Sequence, residues 1–340
     1  MKSSWAPAIV LFFLAPMIGE LLSGSSPPVS YFHVPTIVIL SILYGGGALL
    51  IREYTLRWGK GWYARAWLAA AYGIWEEGFL VGSWFNPQWP DIKDLGSYGW
   101  FLHTNWVWAT GLTLYHGTVS TLVPILLVEL LFPEQRNERW LSDRALKWVT
   151  GIFAVEGLMG SLVVCFRIFH GSYPIVLDYL TLIPIAYLIS RARKAPAADA
   201  AVPERSGAAP APWKFALAGL AAIFLMFILQ KVFQEGRAPI LVPVVAVGLM
   251  AALLARWMER ASGHGRAWTD RHRLAAAIGP LLFLIAIGPL MEFVAHPPKN
   301  MAGEVFVDLA FVVFLIYLWR AVRKREGSAA PPVAAGPTPA

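Results

Sequence analysis

The sequence predicts an all-α membrane protein: a polytopic bundle of about ten transmembrane helices with both termini in the cytoplasm. Hydrophobic residues occupy 57% of the 340 positions and charged residues only 14%, a composition that excludes an ordinary soluble domain. Apolar segments of helix length recur along the whole chain. Basic residues fall in alternate loops between these segments, as they do in multi-pass membrane proteins.

Each apolar segment approaches the length of about 20 residues that a helix needs to cross a bilayer. The predicted spans, in chain order, are 5–22, 35–52, 62–84, 105–131, 147–169, 174–190, 213–231, 239–256, 274–295 and 305–322. A cleaved signal peptide is the alternative for the first span, because Lys2 precedes it and small residues follow it. Pro16 and Glu20 inside the span favour a retained helix.

The basic residues predict the orientation. Most of the 28 lysine and arginine residues lie in the second, fourth, sixth and eighth loops and in the tail. Only Lys93, Lys231, Arg237 and Lys299 lie in the other loops, and Arg167 lies within a span. Basic loops stay on the cytoplasmic side, which predicts a plasma or inner membrane protein. Because this pattern explains the net charge of +7, the predicted partner is the lipid bilayer and not nucleic acid.

Two segments rich in Ala and Pro divide the chain. Residues 195–212 are predicted to form a flexible cytoplasmic linker, and residues 324–340 a disordered tail, because neither composition can build a packed core. The linker separates a predicted six-helix unit, residues 1–194, from a predicted four-helix unit, residues 213–323. The sequence leaves the oligomeric state open.

Two adjacent glutamates, Glu76 and Glu77, lie within the third predicted helix. One carboxylate in hydrocarbon costs roughly 2.5–3.5 kcal/mol on insertion scales, and two neighbouring carboxylates repel each other. Adjacent positions on an α-helix point about 100° apart. We therefore expect one glutamate to face a cavity, where it can act as a general base for water, and the other to have different partners.

His116 is the predicted partner of this pair. It lies at a comparable depth on the next helix, among small and hydroxyl residues. An imidazole beside a carboxylate can polarise a carbonyl, stabilise an oxyanion or transfer a proton. A structural histidine that forms hydrogen bonds across helices is the alternative.

Further polar residues fall near the same predicted level. The candidate cavity-lining residues are Glu20, Tyr72, Thr113, Arg167 and Asp178. His170 is a further catalytic candidate, although an interfacial histidine beside an Arg167–Asp178 pair is the alternative. The predicted depths leave Glu156 in the inner half and Glu129 at the cytoplasmic interface.

The sequence predicts no cofactor and no metal-binding residues. The single cysteine, Cys165, excludes an internal disulfide framework and a cysteine-based metal cluster. The chain also has no phosphate-binding loop, no dinucleotide fingerprint and no HExxH zinc motif.

The segment EEGFLVG, residues 76–82, resembles the first motif of the CAAX-protease and bacteriocin-processing family of intramembrane glutamate proteases. That motif is EExxxRG. Glu76, Glu77 and Gly82 match it, and Val81 stands in place of the arginine.

The second family motif, FxxxH, is matched by His116, with Leu112 in place of the phenylalanine. For the third motif, HxxxN, His170 lies at a suitable distance and Pro174 occupies the asparagine position. The resemblance covers residues 62–190. It implies a hydrolase acting on a membrane-associated peptide, in which Glu76 activates water and His116, with His170, stabilises the oxyanion.

Three functions remain open at the level of sequence. A hydrolase predicts that His116 lies within about 4–5 Å of Glu76, near hydrogen-bond reach. A proton-coupled transporter or permease, for a small-molecule substrate, predicts access from both sides and halves related by two-fold symmetry. A non-catalytic scaffold or accessory protein predicts carboxylates that are fully paired.

Overall fold

A computed structural model describes residues 5–92, 96–198, 207–263, 267–294 and 300–328. Ten main helical segments follow one another within these residues. They are α1 (Ala6–Leu21), α2 (Val34–Arg57), α3 (Trp62–Ile74), α4 (Trp106–Leu131), α5 (Asp143–Ile168), α6 (Leu182–Lys194), α7 (Pro212–Glu235), α8 (Leu241–Ser262), α9 (Asp270–Leu290) and α10 (Glu304–Ser328).

Seven of these helices, α2, α4, α5 and α7 to α10, are long and apolar enough to cross a membrane. They confirm the prediction of an all-α, multi-pass membrane protein. Helix α1 is a shorter apolar helix. The sixth predicted span, 174–190, is interrupted at Thr181: a short helix, Val176–Leu180, precedes α6.

Five stretches of π-helix occur in the first half of the chain, one in each of α1, α2, α4 and α5 and one directly after α3. They are Met17–Leu21, Ser41–Gly46, Trp75–Leu80, His116–Leu122 and Val163–Ile168. π-Helical turns are rare and are often found at functional sites. Here they include Glu20, both residues of the glutamate pair and His116.

A short β-hairpin lies in the loop between the π-helical turn Trp75–Leu80 and α4. Strand β1, Trp100–Phe101, pairs antiparallel with β2, Thr104–Asn105. The two residues between the strands adopt left-handed conformations, as a tight two-residue hairpin turn requires. The Asn105 side chain then accepts a hydrogen bond from the Trp108 backbone N–H at 3.0 Å and so caps the start of α4.

Glycines allow the helices around the glutamate pair to approach closely. A Cβ atom on Gly73 would overlap the backbone of Thr113, and one on Gly117 would lie 2.8 Å from the Ala69 carbonyl oxygen. Small residues at such positions permit close contact between helix backbones in membranes. The contact fixes the position of α3, which leads directly into the π-helical turn with the glutamates, relative to α4, which carries His116.

The basic loops meet at one end of the bundle. Four contacts join them to each other and to α10: Lys60 Nζ to the Ala195 carbonyl at 2.7 Å, Arg57 to Asp143 at 3.2 Å, Arg136 to Asp270 at 2.7 Å, and Arg271 to Glu326 at 2.6 Å. The loops that the sequence assigned to the cytoplasm therefore contact one another in the fold.

A buried network of charges lies just inside this end. The Arg65 guanidinium donates two hydrogen bonds to Glu129, at 2.9 and 2.8 Å, and Arg52 lies 3.4 Å from the same carboxylate. Arg52 also contacts Glu53 at 2.5 Å and stacks over Trp140. Glu129 is only 3% exposed, so the carboxylate that was predicted at the cytoplasmic interface is a buried ion-pair partner.

The predicted linker and tail are only partly covered by the described residues, which omit 199–206 and 329–340. Lys60 forms a β-bridge with Ala197, so residues 195–198 pack against the loop after α2. At the other end α10 continues to Ser328, beyond the predicted start of the tail at residue 324. Helices α7, α9 and α10 share a core with α1 and α4 that includes Ile18, Leu127 and Leu274, so the predicted four-helix unit packs directly on the first half.

Candidate functional site

Glu76, Glu77 and His116 meet inside the bundle. His116 Nδ1 lies 3.1 Å from Glu76 Oε2, and His116 Nε2 lies 3.0 Å from Glu77 Oε1. The expectation that the two glutamates face different partners was wrong. Their backbone forms a π-helical turn, and its wider i to i+5 hydrogen bonding reduces the angle between successive side chains below that of an α-helix. Both carboxylates therefore reach one imidazole.

The three side chains are almost fully enclosed by the protein, with exposed fractions of 2% for Glu76, 8% for Glu77 and 5% for His116. Ser120 Oγ lies 3.3 Å from His116 Nδ1. The Tyr115 ring packs edge-on against the imidazole, with centroids 5.0 Å apart. These contacts hold the ring between its two carboxylates.

On the Glu77 side of the site, a chain of hydrogen bonds leads to the carboxylate. The Ser83 hydroxyl donates to Glu77 Oε2, and Trp108 Nε1 donates to Ser83 Oγ at 3.1 Å. Trp108 lies in the first turn of α4, which Asn105 caps. The β-hairpin and the start of α4 thus fix the orientation of Glu77.

The Glu76 side of the site has fewer hydrogen bonds. Glu76 Oε2 is buried and accepts no hydrogen bond from the described residues, although it lies close to the imidazole. Tyr44 lies beside Glu76, and its hydroxyl donates to Glu20 Oε1 at 2.5 Å. Glu20 is half-buried and also accepts a hydrogen bond from Ser26 at 2.6 Å. Glu20 is therefore linked to the centre of the site through Tyr44.

Two other predicted lining residues also border the site. Tyr72 is buried, and its ring lies 6.3 Å from that of Tyr44. Thr113 contacts Gly73 through its backbone atoms, and this contact sets the spacing of α3 and α4.

The remaining predicted residues lie elsewhere. Asp178 is buried and accepts hydrogen bonds from Ser161 at 3.0 Å and Tyr173 at 3.2 Å. His170 and Arg167 are exposed, and no contact among the described residues joins either one to the glutamate pair. Arg167 forms no ion pair with Asp178 within the same part of the chain.

Sequence reasoning missed Glu156, Tyr44 and Ser83. Glu156 is near enough to Glu76 for the two carboxylates to interact electrostatically. Its predicted depth in the inner half set it apart from the other polar residues, so it was not among the predicted site residues. The hydroxyl residues gave no signal, because Ser and Tyr are common in membrane helices.

The same three side chains offer one possible metal site. Ligand atoms of Glu76, Glu77 and His116 lie within 4.8 Å of one another, and carboxylate and imidazole are common zinc ligands. However, the two carboxylates approach opposite nitrogens of the ring, whereas a single ion would bind one nitrogen. The contacts instead resemble an imidazolium held between two carboxylates, an arrangement suited to moving protons.

Comparison with known proteins gives one match. The model of a family described as an uncharacterized membrane protein family matches residues 9–336. No curated protein and no solved structure matches the chain significantly.

Proposed function

This chain belongs to an uncharacterized membrane protein family, and we propose that it is an intramembrane hydrolase in which Glu76 activates water. One observation carries the proposal: His116 lies 3.1 Å from Glu76 inside a multi-pass helical bundle. This separation is within the 4–5 Å limit that hydrolysis requires. The match to two motifs of the intramembrane glutamate proteases supports the same assignment, because the matching residues Glu76, Glu77 and His116 come together.

In the proposed reaction Glu76 Oε2 removes a proton from water, and the water oxygen attacks a carbonyl carbon. Protonation of Glu76 frees the His116 Nδ1–H from its contact with that carboxylate, and this N–H then donates to the carbonyl oxygen and stabilises its developing negative charge. When the intermediate collapses, the carbon–nitrogen bond breaks and Glu76 returns its proton to the leaving amine. Glu77, held by Ser83, keeps the imidazole charged and oriented.

The proposed substrate is a membrane-associated peptide that enters the bundle from within the bilayer. The three side chains are at most 8% exposed, so access requires neighbouring helices to separate. The π-helical turns at Glu76 and His116 support such a motion, because they interrupt regular helix geometry beside the site.

Replacement of the proposed base is expected to abolish hydrolysis. Glu76→Gln keeps the shape of the side chain but cannot accept a proton, and we expect the rate to fall by about 10²–10⁴-fold. His116→Ala should lower it by about 10²–10³-fold. The purified protein in liposomes would be incubated with a library of membrane-spanning peptides in ¹⁸O-labelled water, and mass spectrometry would detect new carboxyl ends carrying ¹⁸O.

Glu134→Gln, at an exposed glutamate of the basic end, is the control and should cleave as the unchanged protein does. Equal cleavage by Glu76→Gln would contradict the hydrolase. Proton flux across the liposomes that is lost in Glu76→Gln, with no peptide cleaved, would instead indicate the transporter. If neither peptide cleavage nor proton flux is detected, the non-catalytic scaffold is the function that remains.

We also propose ten membrane crossings with both termini in the cytoplasm of the cell that makes the protein. The contacts among the basic loops support this orientation. In a Cys165→Ser background, a membrane-impermeant maleimide applied to intact cells should label Ser97→Cys but not Asn137→Cys. Labelling of Asn137→Cys alone would contradict the proposed orientation and indicate the opposite one.

A further inference from the structure

Two buried carboxylates lie at the start of α10, apart from the candidate hydrolase site. Glu304 is 0% exposed and Asp308 is 7% exposed. The two residues are four positions apart and therefore share one face of the helix. Val305, Phe306 and Leu309 are exposed on the other faces, so this face of α10 points into the bundle.

Three of the four oxygens of these carboxylates are buried without a hydrogen-bond partner among the described residues. Both oxygens of Glu304 and Oδ1 of Asp308 are buried and accept no hydrogen bond. By contrast, the similarly buried Glu129 receives two hydrogen bonds from Arg65. Buried charges in proteins are paired or bind metal ions, so in their ionised form the two acids need a counter-charge that the described part of the chain does not supply.

Backbone oxygen converges on the same place. Glu304 Oε1 and the carbonyl oxygen of Leu22 each lie 3.0 Å from the position that a Cβ atom would take on Gly288. Leu22 directly follows the end of α1, and Gly288 begins the 3₁₀ turn that ends α9. Carbonyl groups at interrupted helices commonly coordinate cations in membrane proteins. Because Gly288 has no side chain, the Leu22 carbonyl oxygen and Glu304 Oε1 can both approach its Cα closely.

The ligand atoms identify the class of ion. The oxygens of the site come from the Glu304 carboxylate, the Leu22 carbonyl and the Asp308 carboxylate one helical turn from Glu304, and oxygen ligands select hard cations. Two carboxylates supply two negative charges, which a divalent cation neutralises. Ca²⁺ fits better than Mg²⁺, because Ca²⁺ accepts irregular sets of six to eight oxygens.

We propose that Glu304, Asp308 and the Leu22 carbonyl form a binding site for Ca²⁺ that joins α1, α9 and α10. The ion replaces the missing counter-charge and ties the start of α10 to the ends of α1 and α9. This site does not depend on the proposed hydrolase activity, because it shares no ligand with Glu76, Glu77 or His116.

The proposal is tested by thermal unfolding of the full-length protein in detergent after treatment with a chelator. Millimolar Ca²⁺ should raise the melting temperature of the unchanged protein by at least about 3 °C, since a ligand that binds only the folded state stabilises it. Glu304→Gln and Asp308→Asn should each lose this rise. Both variants should fold, because they remove the repulsion between the two acids, and their melting temperatures without Ca²⁺ report this directly.

Two control variants, Glu76→Gln in the hydrolase site and the exposed Glu134→Gln, should retain the rise. An equal rise with NaCl at the same ionic strength would assign the effect to screening and overturn the proposal. It would also be overturned if Ca²⁺ had no effect on the unchanged protein, or if Glu304→Gln kept the full rise.

Discussion

Glu129→Gln should lower the free energy of unfolding by about 3–5 kcal/mol, the cost of removing one partner from a buried ion pair. The loss is large because Glu129 serves two guanidinium groups, receiving two hydrogen bonds from Arg65 and lying 3.4 Å from Arg52. Glutamine keeps the size of the side chain but leaves Arg65 buried without a counter-charge. Chemical unfolding in detergent, followed through the 16 tryptophans, measures the change.

A double substitution separates charge from packing. Arg65→Met combined with Glu129→Leu removes both charges and keeps apolar volume, so it should cost less than Glu129→Gln alone. Arg52 retains Glu53 as a partner in this variant. If the double variant were less stable than Glu129→Gln, the attraction between Arg65 and Glu129 would itself stabilise the fold. Each charge would then do more than neutralise the other.

Gly73→Ala is expected to disrupt the candidate site without touching any of its side chains. The added methyl group would overlap the backbone of Thr113, and such overpacking typically costs about 1–3 kcal/mol. To relieve it, α4 must move away from α3, which separates His116 from Glu76. A displacement near 1 Å can lower a catalysed rate by about 10²-fold, so the peptide cleavage proposed above should fall by a similar factor.

Gly151→Ala is the matched control, because no neighbouring atom lies within 4 Å of the Cβ position on Gly151. In the middle of α5 it should be neutral or stabilise the helix by up to about 1 kcal/mol. Unfolding and cleavage measured on both variants separate helix propensity from helix spacing. Unchanged cleavage in Gly73→Ala would show that the spacing of α3 and α4 does not control the site.

The fold was largely predictable because hydropathy and charge act over short stretches of sequence. Apolar length identified the helices, and the alternation of basic loops grouped the segments that meet at one end. The break at Thr181 was not predicted, since the segment 174–190 is continuously apolar enough to suggest one helix. The Arg65–Glu129 pair was also missed, because 64 positions separate its members and nothing local connects them.

Only the three central side chains of the candidate site could be predicted from the sequence. Glu76, Glu77 and His116 stand out because ionisable residues are costly in apolar helices, and a short motif links them. Their common contact depends on π-helical turns that hydrophobic periodicity does not reveal. Glu156 was left out because its predicted depth differed from that of the glutamate pair, Tyr44 joins the site through tertiary contacts, and Ser83 binds Glu77 from six positions further along the chain.

The buried charge network also constrains the order in which the protein can be assembled. Arg52 and Arg65 belong to α2 and α3, whereas their shared carboxylate, Glu129, lies near the end of α4. Synthesis runs from the N-terminus, so both arginines leave the ribosome well before the residue that neutralises them. Until α4 is complete, Arg52 has Glu53 beside it, but Arg65 lacks the carboxylate that it pairs with in the fold, and its long side chain can keep the charge at the lipid headgroups. We therefore expect α3 to take its final place in the bundle only after Glu129 has been made.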